Sequence, residues 1–164
     1  MDDLAPAPAS HLEQGETGEP RVPHRLFALK DKDTFVVADA FGDIEGRGDG
    51  LFHNDTRLLS RFRLTLGGHP PSLLSAAISQ DNVFFTSHGA NQRLPFPGGR
   101  VGPPGVIHVE RKRFLWGERL YECVACTNYS RDEVILPLQL HFAADFHDMF
   151  EVRGSRRSRR PRKW

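Results

Sequence analysis

Apolar and polar residues alternate with a period of two in the clearest segments of this chain, and helical spacing is almost absent. The clearest run lies at residues 134–142, where Val134, Leu136, Leu138, Leu140 and Phe142 alternate with Ile135, Pro137, Gln139 and His141. Strict alternation places one set on each face of an extended strand and excludes a helix there. Pro137 removes an amide donor, so an edge position or a bulge is expected. Residues 58–66 alternate in the same way, with Phe62, Leu64 and Leu66 on one face and Arg61, Arg63 and Thr65 on the other. Further strands are expected at 26–30, at 34–37, and within PSLLSAAIS and NVFFTSH. Residues 106–116 and 120–128 read as a hairpin of long strands turning at Gly117 and Glu118.

Punctuation separates these runs. The Gly and Asp density of FGDIEGRGDG marks a loop, Gly67 and Gly68 offer a hairpin turn, and PFPGGRVGPPG reads as an exposed loop unsuited to a central strand or a helix interior. Seven or eight short strands with turns at regular intervals predict an all-β fold, an antiparallel two-sheet β-sandwich. Residues 1–24 are rich in Pro, Ala, Glu and Gly without periodicity and read as a disordered leader. The sandwich is expected over 25–153, and 154–164 reads as a basic tail.

Composition narrows the function classes. A chain of 164 residues, 38% hydrophobic and 26% charged, is long enough for one domain with one real core. The net charge of +1 implies no overall electrostatic partner, but the ends differ. The first twenty residues carry five acids and no Lys or Arg, whereas residues 153–163 carry seven bases and no acid. No apolar run approaches the roughly 20 residues of a membrane span, and signal-peptide features are absent, so a cytoplasmic location is the default expectation. Cys123 and Cys126 form a C-x-x-C inside a strand-like segment. An offset of three puts the thiols on opposite strand faces, which opposes a zinc or redox role and leaves buried or half-buried packing thiols.

Two polar groupings stand out. His53, Asp55 and Arg57 lie at i, i+2 and i+4 within GLFHNDTRLLSR, so an extended backbone would send them from one face. They form a poor metal set and lack a nucleophile. They read either as a structural joint, with Asp55 and Arg57 bonding to backbone or to each other, or as an interdomain or substrate-facing surface. The second grouping, ADFHDMFEVRG, holds Asp145, Asp148, Glu151 and Arg153. Glycosidase carboxyls face each other across a substrate roughly 5 to 10 Å apart, which acids on one short turn do not do. Asp145 is expected to cap a helical turn with Asp148 as its capping-box partner, while Phe146, Met149 and Phe150 pack inward. Trp116, Phe114 and Tyr121 could stack on sugar rings if they project outward, and core or cross-strand packing is the alternative reading for all three.

Together the segments FVVADAFGDI, GLFHNDTRLLSR and FLWGERLYECVACTNYSRDEVILPLQLHFAADFHDMFEVRG resemble the N-terminal domain of glycogen debranching enzymes of the amylo-alpha-1,6-glucosidase type, over about residues 25 to 155. The resemblance implies a supersandwich-like β domain lying against a larger helical toroid that carries the catalytic carboxylates. It also makes the segment holding Asp145, Asp148, Glu151 and Arg153 the exit from the sandwich, so that these residues are further candidates for an interdomain or substrate-facing surface. At 164 residues an accessory domain without that toroid is expected. The expected function is therefore a non-catalytic domain that supports or shapes an α-glucan hydrolase domain, with no catalytic residues, metal or cofactor of its own. The expected partners are that toroid, missing here or separately encoded, and α-glucan, with no membrane. A stand-alone carbohydrate-binding module is the alternative. A nucleic-acid binder acting through the basic tail is a weaker one, since no reading helix or stacking platform accompanies the tail.

Overall fold

The computed structural model of the chain describes residues 25–95 and 101–154. The leader and nearly all of the basic tail therefore lie outside the described residues. The chain opens as a four-stranded meander, β1 (Phe27–Asp31), β2 (Thr34–Ala38), β3 (Gly50–His53) and β4 (Thr56–Leu59), paired in that order. It continues through β5 (Arg61–Leu66), β6 (Ser72–Ile78), β7 (Phe84–Ala90), β8 (Leu94–Pro95), β9 (Val101–Gly102), β10 (Ile107–Trp116), β11 (Arg119–Asn128) and β12 (Leu138–Ala143). A single turn of helix, α1 (Met149–Val152), follows. A second four-stranded sheet has the order β11-β10-β7-β6, while β12 pairs with β5 and β8 with β9. Every pairing is antiparallel.

One layer of the sandwich is the β11-β10-β7-β6 sheet. The meander and the β5-β12 pair form the opposite layer, joined to each other by a bridge between Ile44 and Phe62. Between the layers, Phe27, Leu29, Val36 and Ala38 of β1 and β2 bury against Ile44, Phe62, Phe85 and Leu115. A second cluster joins Leu64 and Leu66 of β5 to Leu94, Ile107 and Val109. Removing these side chains from water is the main favourable term of the fold.

The alternation calls out the strands correctly in type, but the structure divides the chain more finely, into twelve strands among the described residues. The run at 58–66 is broken between β4 and β5, which belong to different sheets. Gly67 and Gly68 do not join a β5-β6 hairpin. The turn closes locally between Leu66 and His69, and the chain then crosses to the other layer. The Pro-rich segment contributes two short strands, β8 and β9, at its flanks. The last strand begins only after Pro137, whose carbonyl accepts the Gly67 amide at 2.8 Å, and Val134 and Leu136 pack on the second core cluster from outside any strand. Cys123 and Cys126 stand opposite Lys112 and Val109, three residues apart on β11, and both are exposed rather than packed. Strand β11 borders its sheet, so thiols of either face remain open to solvent.

Candidate functional site

His53, Asp55 and Arg57 do not share a face. Asn54 and Asp55 have positive φ, 45° and 62°, and form the two-residue turn of the β3-β4 hairpin. Consecutive left-handed residues match the twist of flanking strands, and Asn and Asp tolerate that conformation best among residues with side chains. The turn sends His53 and Arg57 onto different strands. Half-buried His53 meets the Thr34 hydroxyl through Nδ1 at 2.8 Å, and its Nε2 lies 2.9 Å from the Asn54 side-chain amide. Asp55 is exposed, and its backbone carbonyl accepts the Met149 amide at 2.8 Å.

Arg57 turns inward and is 5% exposed. Its guanidinium donates to the carbonyls of Gly46 (3.2 Å) and Asp49 (3.3 Å) and forms a two-point ion pair with Asp145 through Nε and Nη2. The Asp49 carboxylate in turn accepts the Glu45 and Arg47 amides at 2.6 and 2.7 Å, which winds the loop that presents those carbonyls. Gly50 is required beside it. A Cβ there would lie 2.6 Å from Arg57 Cδ. The hydrogen bonds from Arg57 hold the Asp145 carboxyl below its ordinary value.

Asp145 is thus an ion-pair partner, and it does not cap the helix. Asp148 is the N-cap: its side chain accepts the Glu151 amide at 2.9 Å, while the Glu151 carboxylate accepts the Asp148 amide at 3.1 Å. Arg153 is the exposed C-cap. Phe146 and Phe150 face outward, 66% and 68% exposed, and Met149 is half-buried. A four-residue helix is too short to offer an apolar stripe to the core, and the segment is instead zipped by backbone to the edge of β4. Arg57 donates its amide to the His147 carbonyl at 2.8 Å, and Thr56 bridges Asp148. The acids of this segment are therefore engaged in holding it in place.

A second polar centre escaped sequence reading. The inward row of β10 is Ile107, Val109, Arg111, Arg113 and Leu115, all buried. Two guanidiniums thus lie inside the sandwich. Glu122, directly opposite Arg113 on β11, accepts from Arg111 Nε at 2.7 Å and from Arg113 Nε at 2.6 Å. Arg111 also donates to the Asp43 carboxylate (2.5 Å), the Phe41 carbonyl (2.7 Å) and the Gly42 carbonyl (3.1 Å), and Arg113 donates to the Gly42 carbonyl at 2.6 Å. Both guanidiniums lie 5.2 Å from the Phe62 ring centre. Such stacking suits Arg, whose flat, weakly hydrated head tolerates an aromatic face.

The loop that receives them is wound by Asp39, whose carboxylate accepts the Phe41 and Asp43 amides, both at 2.9 Å. Gly42 sits at φ 79°, and a Cβ there would come within 3.0 Å of Phe85. Burial raises the pKa of Asp39 and of Asp43 and lowers that of Arg113. The available signal was the phase of β10. Two arginines occupy its apolar positions, and an acid stands at the matching place on the next strand.

Beyond these centres, a cleft of about 490 Å³ is lined by Leu26, Asp39, Glu45, Arg47, Asp49 and Arg63. On the outer face of the second sheet Phe114 stacks on Tyr121 with ring centres 4.8 Å apart and meets Phe84 edge-on, so Phe114 and Tyr121 are packed across the strands. Trp116, at the hairpin tip, is 71% exposed. Among the described residues no helix is long and apolar enough to cross a membrane.

An antiparallel β-sandwich whose loops are tied to its strands by arginine-centred ion pairs is the class that fold and site define. Residues 29–163 match the family model for the N-terminal domain of some glycogen debranching enzymes, and the chain belongs to that family. A search of curated proteins finds no match.

Proposed function

We propose that this chain is the non-catalytic β-sandwich of a glycogen debranching enzyme-like protein and that it supports a separate α-glucan hydrolase domain. The row Leu138, Leu140 and Phe142 on β12 carries the reading. It lies on the core-facing side, opposite Leu66, Leu64 and Phe62, which are 1%, 0% and 3% exposed. The β12 side chains themselves are 39%, 40% and 61% exposed. In its sheet β12 is paired with β5 alone among the described residues. An open strand edge beside an uncovered extension of the core is a surface suited to another protein layer. The engaged acids of the Asp145 to Glu151 segment and of the Arg111 centre agree with a supporting role.

Incubated with glycogen or a branched dextrin, the purified chain is expected to release no glucose. Mixed with the helical glycosidase domain of a family member, it is expected to co-purify, and Leu140→Asp with Phe142→Asp to prevent this. Glucose release abolished by substituting one of the acids named above would overturn the reading, as would co-purification indifferent to the β12 variants.

The exposed indole of Trp116, two residues beyond Phe114 on β10 and so on the face where Phe114 packs with Tyr121 and Phe84, favours one second reading, a carbohydrate-binding face. Retardation of the chain in a glycogen-containing native gel, lost on Trp116→Ala, would select it.

A further inference from the structure

We propose that His88 and His108 form a chelating site for a divalent transition ion such as Ni²⁺, Cu²⁺ or Zn²⁺. The two residues belong to β7 and β10, the central strands of the second sheet. In the register His108 faces Ala90 and His88 faces Glu110, so the histidines are diagonal neighbours on the outer face. Both are half-buried. Their rings lie 5.2 Å apart with planes inclined by 20°, and Nδ1 of His88 is 3.2 Å from Nε2 of His108.

That separation is the bite of a metal chelate. With metal–nitrogen bonds of about 2.0–2.1 Å, two cis ligands are about 2.9 Å apart at a right angle and about 3.3 Å apart at a tetrahedral angle. The observed spacing falls between these limits, so one ion can take both nitrogens through small ring rotations while the strands stay in place. Without an ion the two nitrogens can share one hydrogen. With it, both lone pairs turn to the metal and the remaining ring N–H groups point outward. Imidazole nitrogen selects this class of ion over Mg²⁺ or Ca²⁺. The Tyr129 ring, 6.5 Å from that of His108, flanks the pair, and the Glu110 carboxylate opposite His88 lies 3.4 Å from Lys112 Nζ. Among the described residues no cluster of three or more His, Cys, Asp or Glu is arranged to hold a metal. Among the described residues the site thus has two donors, with water to complete the shell.

The test uses the whole chain carrying Cys123→Ser and Cys126→Ser, which removes two exposed thiols able to capture the same ions. Thermal unfolding is followed with NiCl₂ or ZnCl₂, alongside His88→Ala and His108→Ala made in that background. An ion present at ten times its Kd should raise the Tm by about 3–6 °C, and each variant should abolish the rise. A second readout needs no variant: substoichiometric Ni²⁺ should broaden the His88 and His108 imidazole resonances before those of other histidines. A Tm rise of equal size in the parent and both variants overturns the proposal. So does broadening centred on other histidines, or no rise at about 1 mM ion, the weak limit of specific binding.

Discussion

Arg57 and Asp145 are 88 residues apart in the chain and meet through two parallel N–H···O contacts, so the first sheet is fastened to the segment that leaves the last strand. Arg57 is nearly enclosed, whereas the Asp145 side chain keeps 23% of its exposure. The same guanidinium spans the Gly46 and Asp49 carbonyls, so a single side chain fixes a loop, a hairpin and the exit segment relative to one another.

Arg57→Ala should cost about 2–3 kcal/mol in urea unfolding. This is somewhat less than the 3–5 kcal/mol typical of breaking a fully buried pair, because solvent reaches Asp145 and screens it. Adding Asp145→Asn to Arg57→Ala should cost little more. A double-mutant cycle that showed the two losses to be additive would refute direct coupling.

The acid limb of the stability profile should carry the signature of Asp145. Its folded pKa is depressed, so its contribution is complete above the ordinary carboxylate range and is lost as the pH falls through the folded value. Asp39 and Asp43 have raised folded values and act in the opposite sense: folding gains as the pH falls from their folded values toward the unfolded one. Asp145→Asn should therefore lower stability at neutral pH and remove Asp145's share of the destabilising slope at low pH, while leaving the opposite contributions of Asp39 and Asp43 in place. Unfolding free energies measured from pH 2 to 7 (a span of about five units around the usual carboxylate pKa) should converge for parent and variant at the acid end.

Glu122→Gln should be more damaging than its conservative appearance suggests. It removes the charge shared by two buried guanidiniums and is expected to cost about 3–5 kcal/mol. Arg113→Lys should be poorly tolerated too, since an ammonium cannot reproduce the fork between Glu122 and the Gly42 carbonyl. Denaturant midpoints close to that of the parent would contradict the ledger of contacts around β10.

Gly42→Ala combines a left-handed backbone with a close approach to the Phe85 ring, and a loss of at least about 1–3 kcal/mol is expected. Gly105→Ala is the control. Its φ is also positive, but nothing lies within 4 Å of the added Cβ, so the backbone strain alone is paid. Equal losses at the two positions would show that contact with Phe85 is immaterial.

Much of the architecture was legible because β periodicity is a local property. Strand-like composition marked β1, β2, β10 and β11, alternation marked β5 and the core-facing row of β12, and Gly117 with Glu118 marked the turn between the two longest strands. The site was less legible. Reading residues 53–57 as one extended stretch joined His53, Asp55 and Arg57, because nothing in their order announces that Asn54 and Asp55 take positive φ. Cap signals lie in near neighbours and point to Asp145, whereas its partner Arg57 stands in another sheet.

Side-chain spacing along the chain thus determined that this protein is an antiparallel β structure, and its spaced motifs carried the likeness to debranching-enzyme N-terminal domains. Tertiary structure alone decided which charges are enclosed. The phase of a strand states which residues share a face, but only the stacking of two layers settles whether that face meets water or core. That stacking put Arg111 and Arg113 inside with Glu122 and Asp43 to neutralise them, and left Leu138, Leu140 and Phe142 uncovered.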